Sequence, residues 1–345
     1  MKTIFIVDDN ESNLFSAKTA LEGIYKTYAL LSAERMFKMA ERIIPDLILL
    51  DIEMPDMNGF EALRILKSDE RWKSIPVLFL TSRNDADAEI NGFEMGALDF
   101  ISKPISPPRL IKRLETHLET DALIKESQKA LRDIHNATIN VIADLVETRD
   151  ETTGGHIERT SVYVELLVND LLRTGVYKDE ISLWDISILL PSAQLHDLGK
   201  IGISDLILNK PGRLTPEEFD IIRQHCEIGR RAIDRIIEKT GDDTFLQHAK
   251  RFASYHHEKW DGSGYPRGLR GEEIPLEGRI MAIADVYDAL VSERPYKKPF
   301  THDEAVHTIQ KDSGTHFDPK IVEAFLNVAD DFCAELTRES GSADM

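Results

Sequence analysis

Five short apolar runs alternate with stretches of helical spacing through the first 120 residues. After each run, apolar residues recur every three or four positions, which is typical of an amphipathic helix. Five strand-then-helix units predict a parallel, doubly wound α/β sheet with helices on both faces. The predicted strands are Thr3–Val7, Ala29–Leu31, Leu47–Leu50, Val77–Leu80 and Asp99–Ile101.

From Pro107 to about Asp150 the pattern changes to one long charged helix, which contains no glycine or proline after Pro108. Its apolar residues recur close to a heptad repeat, although Asp121 and Gln128 interrupt it. This pattern fits a signalling helix that pairs with a second copy of the chain into a homodimer. The alternative is a surface helix that only bridges two domains. The recurring positions are Leu110, Leu114, Leu118, Ile124, Leu131, Ile134, Ile142 and Leu145.

Residues 150 to 330 show no comparable alternation and are typical of helices separated by loops that carry glycine and proline. A capping box with proline in the first turn, Thr215–Glu218, predicts one helix start, and Asp318–Pro319 predicts another. We therefore predict a multidomain chain in which an all-α domain follows the sheet. The predicted boundaries are 1–120 for the sheet domain, 121–149 for a helical linker and 150–335 for the second domain.

Composition narrows the classes of function. The chain has 345 residues, a length typical of two domains of about 100–200 residues each. A formal net charge of −19 argues against a general binder of nucleic acid or of anionic membranes. The apolar runs are too short to cross a bilayer, and Asp8 and Asp9 follow the apolar start where a signal peptide would continue. We expect a cytoplasmic protein without membrane insertion, and its two cysteines make no disulfide framework.

Polar side chains stand at the carboxyl ends of the predicted strands. Asp8 and Asp9 follow the first strand, and Asp51 ends the third. In a parallel sheet these ends share one edge, where three carboxylates repel one another unless a divalent cation such as Mg²⁺ lies among them. Thr81 and Lys103, at the ends of the fourth and fifth strands, could then hold two oxygens of a phosphoryl group carried by Asp51.

Residues 1 to about 120 resemble a response-regulator receiver domain. The resemblance implies that a sensor histidine kinase phosphorylates Asp51, and that Mg²⁺ is held by Asp8, Asp9, Asp51 and the backbone of Glu53. It also implies a switch made of Thr81, Phe100 and Lys103, with a cis bond at Lys103–Pro104. The motifs that carry it are VDDN at 7–10, DIEMPDMNGFE at 51–61, LTS at 80–82 and DFISKP at 99–104.

The second half carries five imidazoles and two carboxylates within about 130 residues. Three of these histidines stand in two tandem pairs, one His–Asp and one His–His. Neighbours on a helix point about 100° apart, so both members of a pair reach one site only where a helix ends or faces a cleft. Such positions pack poorly, which favours metal coordination over burial in a core. The mixture suits Fe, Mn, Ni or Zn, and two ions could activate a hydroxide against a phosphodiester. The residues are His156, His196–Asp197, His225, His256–His257 and Asp285.

This pattern resembles the HD phosphohydrolases, and specifically the HD-GYP subgroup named for Gly264–Tyr265–Pro266. The resemblance implies a phosphodiesterase that opens cyclic di-GMP to linear pGpG and could continue slowly to GMP. By analogy, it also implies contact with cyclic-di-GMP synthase (GGDEF) domains. The supporting strings are HDLGKIGI at 196–203, LNKPGRLTPEE at 208–218, HHEKWDGSGYPRGLRGEEIPLEGRI at 256–280, ADVYDAL at 284–290 and RPYK at 294–297.

Carried over residue by residue, the resemblance implies two transition-metal ions, with Fe preferred to Mn, Ni or Zn. Asp197 would bridge the ions and, with Lys200, be catalytic. Lys200, Arg294 and Lys297 would contact the substrate phosphates, making a positive cleft in an acidic protein. The first ion would be held by His156, His196, Asp197 and Asp285, and the second by His225, His256, His257 and the bridging Asp197.

Some members of the family hold a third ion with a glutamate four residues before the first histidine. This sequence has Thr152 there, whose neutral hydroxyl is a poor substitute for a carboxylate. We therefore predict two ions per chain and a second step, from pGpG to GMP, that is slow or absent. The alternative is that a water or another acid replaces the missing ligand.

Two other functions stay open at this point. One is a catalytically silent output module that binds cyclic di-GMP or a synthase domain, which degenerate ligands would favour, although no ligand is missing from the sequence. The other is an HD hydrolase for a different cyclic dinucleotide or for a nucleotide monophosphate.

Overall fold

A computed structural model of the chain describes residues 1–82, 86–149, 155–292 and 298–342. The chain divides into two compact units, Met1–Ala130 and Leu131–Met345. The domain boundaries predicted from the sequence stay predictions.

The first unit contains a parallel five-stranded sheet with the strand order β2-β1-β3-β4-β5, which confirms the predicted fold class. The third, fourth and fifth strands each end one residue later than predicted, and the second strand departs most, because it begins at Lys26 rather than Ala29. It is an edge strand in which only Leu30 is buried, so the apolar pattern marked only its end. The strands are β1 (Thr3–Val7), β2 (Lys26–Leu30), β3 (Leu47–Asp51), β4 (Val77–Thr81) and β5 (Asp99–Ser102).

The central strands β3 and β4 are buried along their whole length, because helices cover both faces of a parallel sheet. Two apolar cores result, one on each face. Polar caps define the helix starts, as where Asn58 and Glu61 form a capping box. The helices of this unit are α1 (Glu11–Leu21), α2 (Ala33–Ala40), α3 (Gly59–Ser68) and α4 (Ala86–Glu94).

A single helix, α5 (Pro107–Arg149), spans 43 residues. Its first turns pack against the sheet through Leu110, Leu114 and Leu118. Near its other end Ile139 belongs to an apolar core of the second unit. Five apolar residues after Leu118 are each more than half exposed and recur in steps of seven, three, seven and four residues. We call them the α5 stripe: Ile124, Leu131, Ile134, Val141 and Leu145.

The second unit is helical, as predicted. Thr215 and Glu218 form the predicted capping box, and Asp318 caps the helix that begins at Pro319. Its main core contains the stacked rings of Tyr163 and Phe332, 4.2 Å apart. The helices are α6 (His156–Thr174), α7 (Lys178–Ile181), α8 (Ile186–Ala193), α9 (Asp205–Leu208), α10 (Pro216–Thr240), α11 (Thr244–Tyr255), α12 (Leu276–Val291), α13 (His302–Lys311), α14 (Pro319–Asn327) and α15 (Ala329–Ser342), with short 3₁₀ helices at Leu198–Gly202 and Gly271–Glu273.

Among the described residues, none of the helices combines the length and the apolar character that crossing a membrane requires.

Candidate functional site

The carboxyl edge of the sheet brings three carboxylates together. Oxygen atoms of Asp8, Asp9 and Asp51 all lie within 4.8 Å of one another, with Asp8 and Asp51 buried and Asp9 exposed. The ammonium group of Lys103 lies 2.7 Å from Oδ2 of Asp8 and 2.8 Å from Oδ1 of Asp51. One lysine therefore pairs with two of the three carboxylates. The edge keeps a net negative charge, which suits a hard cation.

The electrostatics of this edge follow from burial and from the lysine. Burial raises the pKa of Asp51, and the charge of Asp8 adds to this effect although Lys103 opposes it. Burial lowers the pKa of Lys103, but its hydrogen bonds and ion pairs with Asp51 and Asp8 outweigh this and raise the pKa above its ordinary value. A bound dication would stabilise the charged form of Asp51 instead, because an adjacent positive charge favours the carboxylate.

The predicted switch residues lie beside this edge. Thr81 is buried at the end of β4, and the Lys103–Pro104 bond is cis. The ring of Phe100 is buried, with its centroid 5.4 Å from that of Phe79. Sequence reasoning missed Gly92 of α4, where an added Cβ would lie 2.4 Å from Cζ of Phe100.

Glu53 lies near the same edge, where its Oε2 accepts a hydrogen bond of 3.2 Å from Ser82. The role of its backbone in holding Mg²⁺ stays a prediction.

In the second unit, the structure places the predicted ligands at helix ends and on two helix faces. His156 is the first residue of α6, preceded by Gly155 in the left-handed region at φ 78°. Both tandem pairs lie where a helix stops: His196 and Asp197 between α8 and the 3₁₀ helix Leu198–Gly202, and His256 and His257 at the end of α11. The other two are His225, buried on α10, and Asp285 on α12.

These residues form two triads. The donor atoms of His156, His196 and Asp285 lie within 4.8 Å of one another, and so do those of His225, His256 and His257. The closest pair in the first triad joins the Nε2 atoms of His156 and His196 at 3.4 Å, and in the second the Nε2 atoms of His225 and His256 at 3.2 Å.

The carboxylate of Asp197 lies between the triads. Its Oδ2 is 3.5 Å from Nε2 of His196, whereas its Oδ1 is 3.5 Å from Nε2 of His225 and 3.7 Å from Nε2 of His256. Within the described ranges nothing donates a hydrogen bond to this buried Oδ1. A buried carboxylate oxygen without a donor is costly, and a cation beside it would remove that cost.

The ring tautomers follow from the backbone. A carbonyl oxygen only accepts, so the Nδ1 atoms that contact carbonyls must carry the proton. The Nε2 atoms of these rings then present lone pairs toward one another, an arrangement that fits metal coordination and is repulsive without it. The three contacts are His196 Nδ1 to the Ala193 oxygen at 3.0 Å, His225 Nδ1 to the Ile222 oxygen at 2.7 Å and His256 Nδ1 to the Phe252 oxygen at 2.9 Å.

Burial keeps three imidazoles of the triads neutral, those of His196, His225 and His257. It lowers the pKa of His196 and of His225 to about 4, and holds that of His257 well below its ordinary value. Burial alone would raise the pKa of Asp197, but the positive charge of Lys200 holds it well below its ordinary value. Neutral imidazoles around an ionised carboxylate are the protonation states that a metal ion needs in its ligands.

Gly199 explains why Asp197 reaches the second triad. A Cβ at Gly199 would lie 1.8 Å from the carbonyl oxygen of His225 and 2.6 Å from the amide nitrogen of Gly229. Only a residue without a side chain allows this backbone approach. The 3₁₀ helix Leu198–Gly202 therefore packs directly on α10 and presents Asp197 to His225.

Sequence reasoning missed Asp288, which lies one turn after Asp285 on α12. Its Oδ2 is 2.8 Å from Nδ1 of His156, and Arg159 contacts both of its oxygens, at 2.6 and 3.0 Å. Burial alone would lower the pKa of His156, but Asp288 and Asp285 raise it above its ordinary value. The i, i+3 spacing from Asp285 was the available signal, because a ligating histidine commonly donates its other nitrogen to a carboxylate.

Lys200 lies at the same site, with its Nζ 2.8 Å from Oδ2 of Asp197. The ring of Tyr265 stands 4.8 Å from that of His257. Three residues named from the sequence, Thr152, Arg294 and Lys297, lie outside the described residues.

Two families match the chain. Residues 4–115 match the response regulator receiver domain, and residues 140–321 match the HD domain. An HD domain implies a divalent metal site, and the two triads supply suitable donors.

Three relatives illustrate the range of similar proteins. A probable cyclic di-GMP phosphodiesterase of Vibrio cholerae is 41% identical over 94% of this chain and 77% of its own length. The cyclic di-GMP phosphodiesterase response regulator RpfG of Xanthomonas campestris is 34% identical over 94% of this chain and 86% of its own length. A 3'3'-cGAMP-specific phosphodiesterase of Vibrio cholerae is 37% identical over 65% of this chain and 41% of its own length.

Asp288→Asn should weaken metal binding, because His156 would lose the charged acceptor that orients its ring. We expect an affinity for Mn²⁺ lower by about 10–100-fold, the usual effect of removing such a partner. Calorimetric titration of metal-free protein measures it. Asp303→Asn, an exposed aspartate on α13, is the matched control, and equal affinities in the two variants would contradict the assignment.

Proposed function

We propose a function for this chain, which belongs to the family of response regulators that join a receiver domain to an HD domain. It is a metal-dependent phosphodiesterase that hydrolyses cyclic di-GMP to pGpG under the control of phosphorylation at Asp51. The observation that carries this proposal is the placement of Asp197, whose two oxygens face the two triads separately.

Two divalent ions fit the second unit. His156, His196 and Asp285 would hold one ion, His225, His256 and His257 the other, and Asp197 would contact both. When bound, such a pair supplies water activation and charge stabilisation at a phosphodiester. The imidazole-rich donor set favours a transition metal, with Fe preferred to Mn, Ni or Zn.

The chain's own residues orient this chemistry. The ammonium group of Lys200, 2.8 Å from Asp197, fixes the carboxylate and adds positive charge where a substrate phosphate would approach. Burial of the Asp197 carboxylate lowers the local dielectric, which strengthens its electrostatic interactions. Arg294 and Lys297 join Lys200 as substrate contacts on the sequence resemblance alone.

We propose two ions rather than three, with slow or absent hydrolysis of pGpG. The argument rests on Thr152, a neutral residue at the position of the family's additional glutamate. Glu147, on the last turn of α5, is an acid near this position, but it already has a partner. Its Oε1 accepts a hydrogen bond of 2.8 Å from the backbone N–H of His156.

The receiver domain would be phosphorylated by a sensor histidine kinase, with Mg²⁺ at the carboxylate edge. Phosphorylation would recruit Thr81 and Phe100, which lie at the end of β4 and on β5. We propose a cytoplasmic location for this activity, as expected from the sequence.

We further propose a homodimer formed through the α5 stripe. Its five exposed apolar residues recur at coiled-coil spacing, and a second copy of the same helix is the partner that such a seam fits. Contact of Gly264, Tyr265 and Pro266 with cyclic-di-GMP synthase domains remains a proposal from resemblance.

A second substrate is favoured by one observation, the 37% identity to a 3'3'-cGAMP-specific enzyme. Purified protein loaded with Fe²⁺ or Mn²⁺ should therefore be assayed against cyclic di-GMP, 3'3'-cGAMP and pGpG. Preferred turnover of 3'3'-cGAMP would redirect the substrate assignment. Tight binding of intact cyclic di-GMP without turnover would identify a silent output module instead.

Asp197→Ala should abolish hydrolysis, because one carboxylate is lost from both metal positions. We expect a fall in kcat on the order of 10³-fold or more, with the metal-to-protein ratio dropping below that of the wild type. Product chromatography and elemental analysis of the same preparation measure both. Asp303→Ala is the matched control. Full activity of Asp197→Ala with unchanged metal content would contradict the assignment of Asp197 to both metal positions.

Phosphorylation by acetyl phosphate should change the phosphodiesterase rate of the wild type and leave Asp51→Asn unaffected. The physical reason is that a phosphoryl group adds charge and acceptor oxygens at an edge already facing Lys103. Steady-state rates with and without acetyl phosphate and Mg²⁺ give the result. Identical rates and identical assembly states for both proteins would contradict this coupling.

Leu131→Glu combined with Ile134→Glu should prevent dimer formation, because two charges per chain would face each other in the seam. Sedimentation equilibrium at several concentrations is the measurement, with the wild type expected to dimerise and the variant to remain monomeric. Lys129→Glu changes a residue outside the stripe and serves as control. A monomeric wild type at about 100 μM, far above a typical specific Kd, would refute the seam.

A further inference from the structure

The last turn of α5 contacts the chain on both sides of the metal centre. Glu147 accepts the backbone N–H of His156 at 2.8 Å, at the start of α6. Two residues later, the guanidinium of Arg149 donates to the carbonyl oxygens of Ile201 at 2.7 Å and Ile203 at 3.2 Å. One helical turn therefore holds two segments, at His156 and at Ile201, that are 45 residues apart in sequence.

The contacts of Arg149 reach the segment of Asp197. Ile201 belongs to the 3₁₀ helix Leu198–Gly202, which contains Lys200 and is preceded by Asp197 as its N-cap. The same guanidinium contacts Oδ1 of Asp205 at 2.6 Å. A cation at the carboxyl end of a helical segment satisfies carbonyls that have no partner inside it.

The attachment is reciprocal. The side chain of Asn209 donates a hydrogen bond of 2.8 Å to the backbone carbonyl of Arg149. On its other side, the 3₁₀ helix contacts α10 backbone to backbone through Gly199. The segment that carries Asp197 and Lys200 is thus held between α10 and the end of α5.

We infer that Glu147 and Arg149 are positioning residues for hydrolysis, through which a displacement of α5 reaches the metal centre. Arg149 acts on Asp197 and Lys200 through the 3₁₀ helix, and Glu147 acts on His156 through its backbone. Since the other end of the same helix packs on the receiver sheet through Leu110 and Leu114, α5 runs along the chain from the receiver sheet to this turn. The inference rests on the proposed function.

The alternative is that Arg149 only stabilises the end of a helix. A stabilising residue would lower the melting temperature and leave kcat, KM and the response to phosphorylation unchanged below it. A positioning residue changes kcat more than KM, because misplaced catalytic groups cost more in the transition state than in binding.

The kinetic test compares Arg149→Ala, Arg149→Lys and Asp205→Ala with Arg132→Ala, an exposed arginine of the same helix. For Arg149→Ala we expect kcat to fall about 10–100-fold with KM changed less than about threefold, consistent with a misplacement of the order of 1 Å. Arg149→Lys should recover part of kcat, and Asp205→Ala should lose less, since it keeps both carbonyl bonds. The ratio of rates with and without acetyl phosphate should fall to about one in Arg149→Ala.

Wild-type kinetics and wild-type phosphorylation response in Arg149→Ala would overturn the inference. Melting curves and elemental analysis show whether that variant keeps its fold and its metal. If it does not, Arg149→Lys is the deciding variant. A kcat and a phosphorylation ratio equal to those of Arg132→Ala would overturn the inference, and reduced values would support it.

Hydrogen exchange supplies a readout that needs no turnover. The amides of residues 198–205 and of the first turn of α6 should exchange faster in Arg149→Ala than in Arg132→Ala. Phosphorylation should alter their exchange in the wild type and in Arg132→Ala but not in Arg149→Ala. Unchanged exchange would overturn the inference. A wild type that hydrolyses none of the cyclic dinucleotides but shows these exchange differences would instead count against the proposed function and leave the positioning role standing.

Discussion

A buried, ionised carboxylate surrounded by neutral imidazoles is the constraint on which the second unit depends. Asp197 is almost inaccessible to solvent, yet the positive charge of Lys200 keeps its pKa well below the ordinary value. An isolated charge in such a place would be strongly destabilising, so its neighbours must supply compensation. The two triads, Lys200 and the backbone approach at Gly199 are all arranged around this one requirement.

The same requirement reconciles an acidic protein with an anionic substrate. A net charge of −19 sets the long-range field, but salt screens it within about 10 Å. Inside the site, the local balance is decided by Lys200, by the neutral histidines and by the ions they would hold. Overall composition thus excludes broad classes of partner and carries little information about a desolvated cleft.

Much of the fold was predictable, because its signals are local in sequence. Buried strands such as β3 and β4 are continuous apolar runs, whereas the edge strand β2 buries only Leu30 and was predicted with the wrong start. The candidate site residues came from motif and spacing, and the structure brings the described ones together. Asp288 has only one local signal, its i, i+3 spacing from Asp285, and Arg149 has none, since each acts through a partner distant in sequence, His156 and Ile201. Such pairings depend on tertiary contacts that no local pattern records.

Gly199 determines how the two triads are spaced. Because the chain at Gly199 meets α10 peptide against peptide, with Gly229 on the opposite side of the contact, the gap between Asp197 and His225 is set by the thickness of the backbone. Repacking of nearby apolar side chains such as Ile228 or Ala253 can alter stability without altering this gap. Substitutions among the core side chains therefore leave the catalytic geometry unchanged. Substitution of Gly199 or Gly229 would alter it, because an added side chain would separate the two backbones.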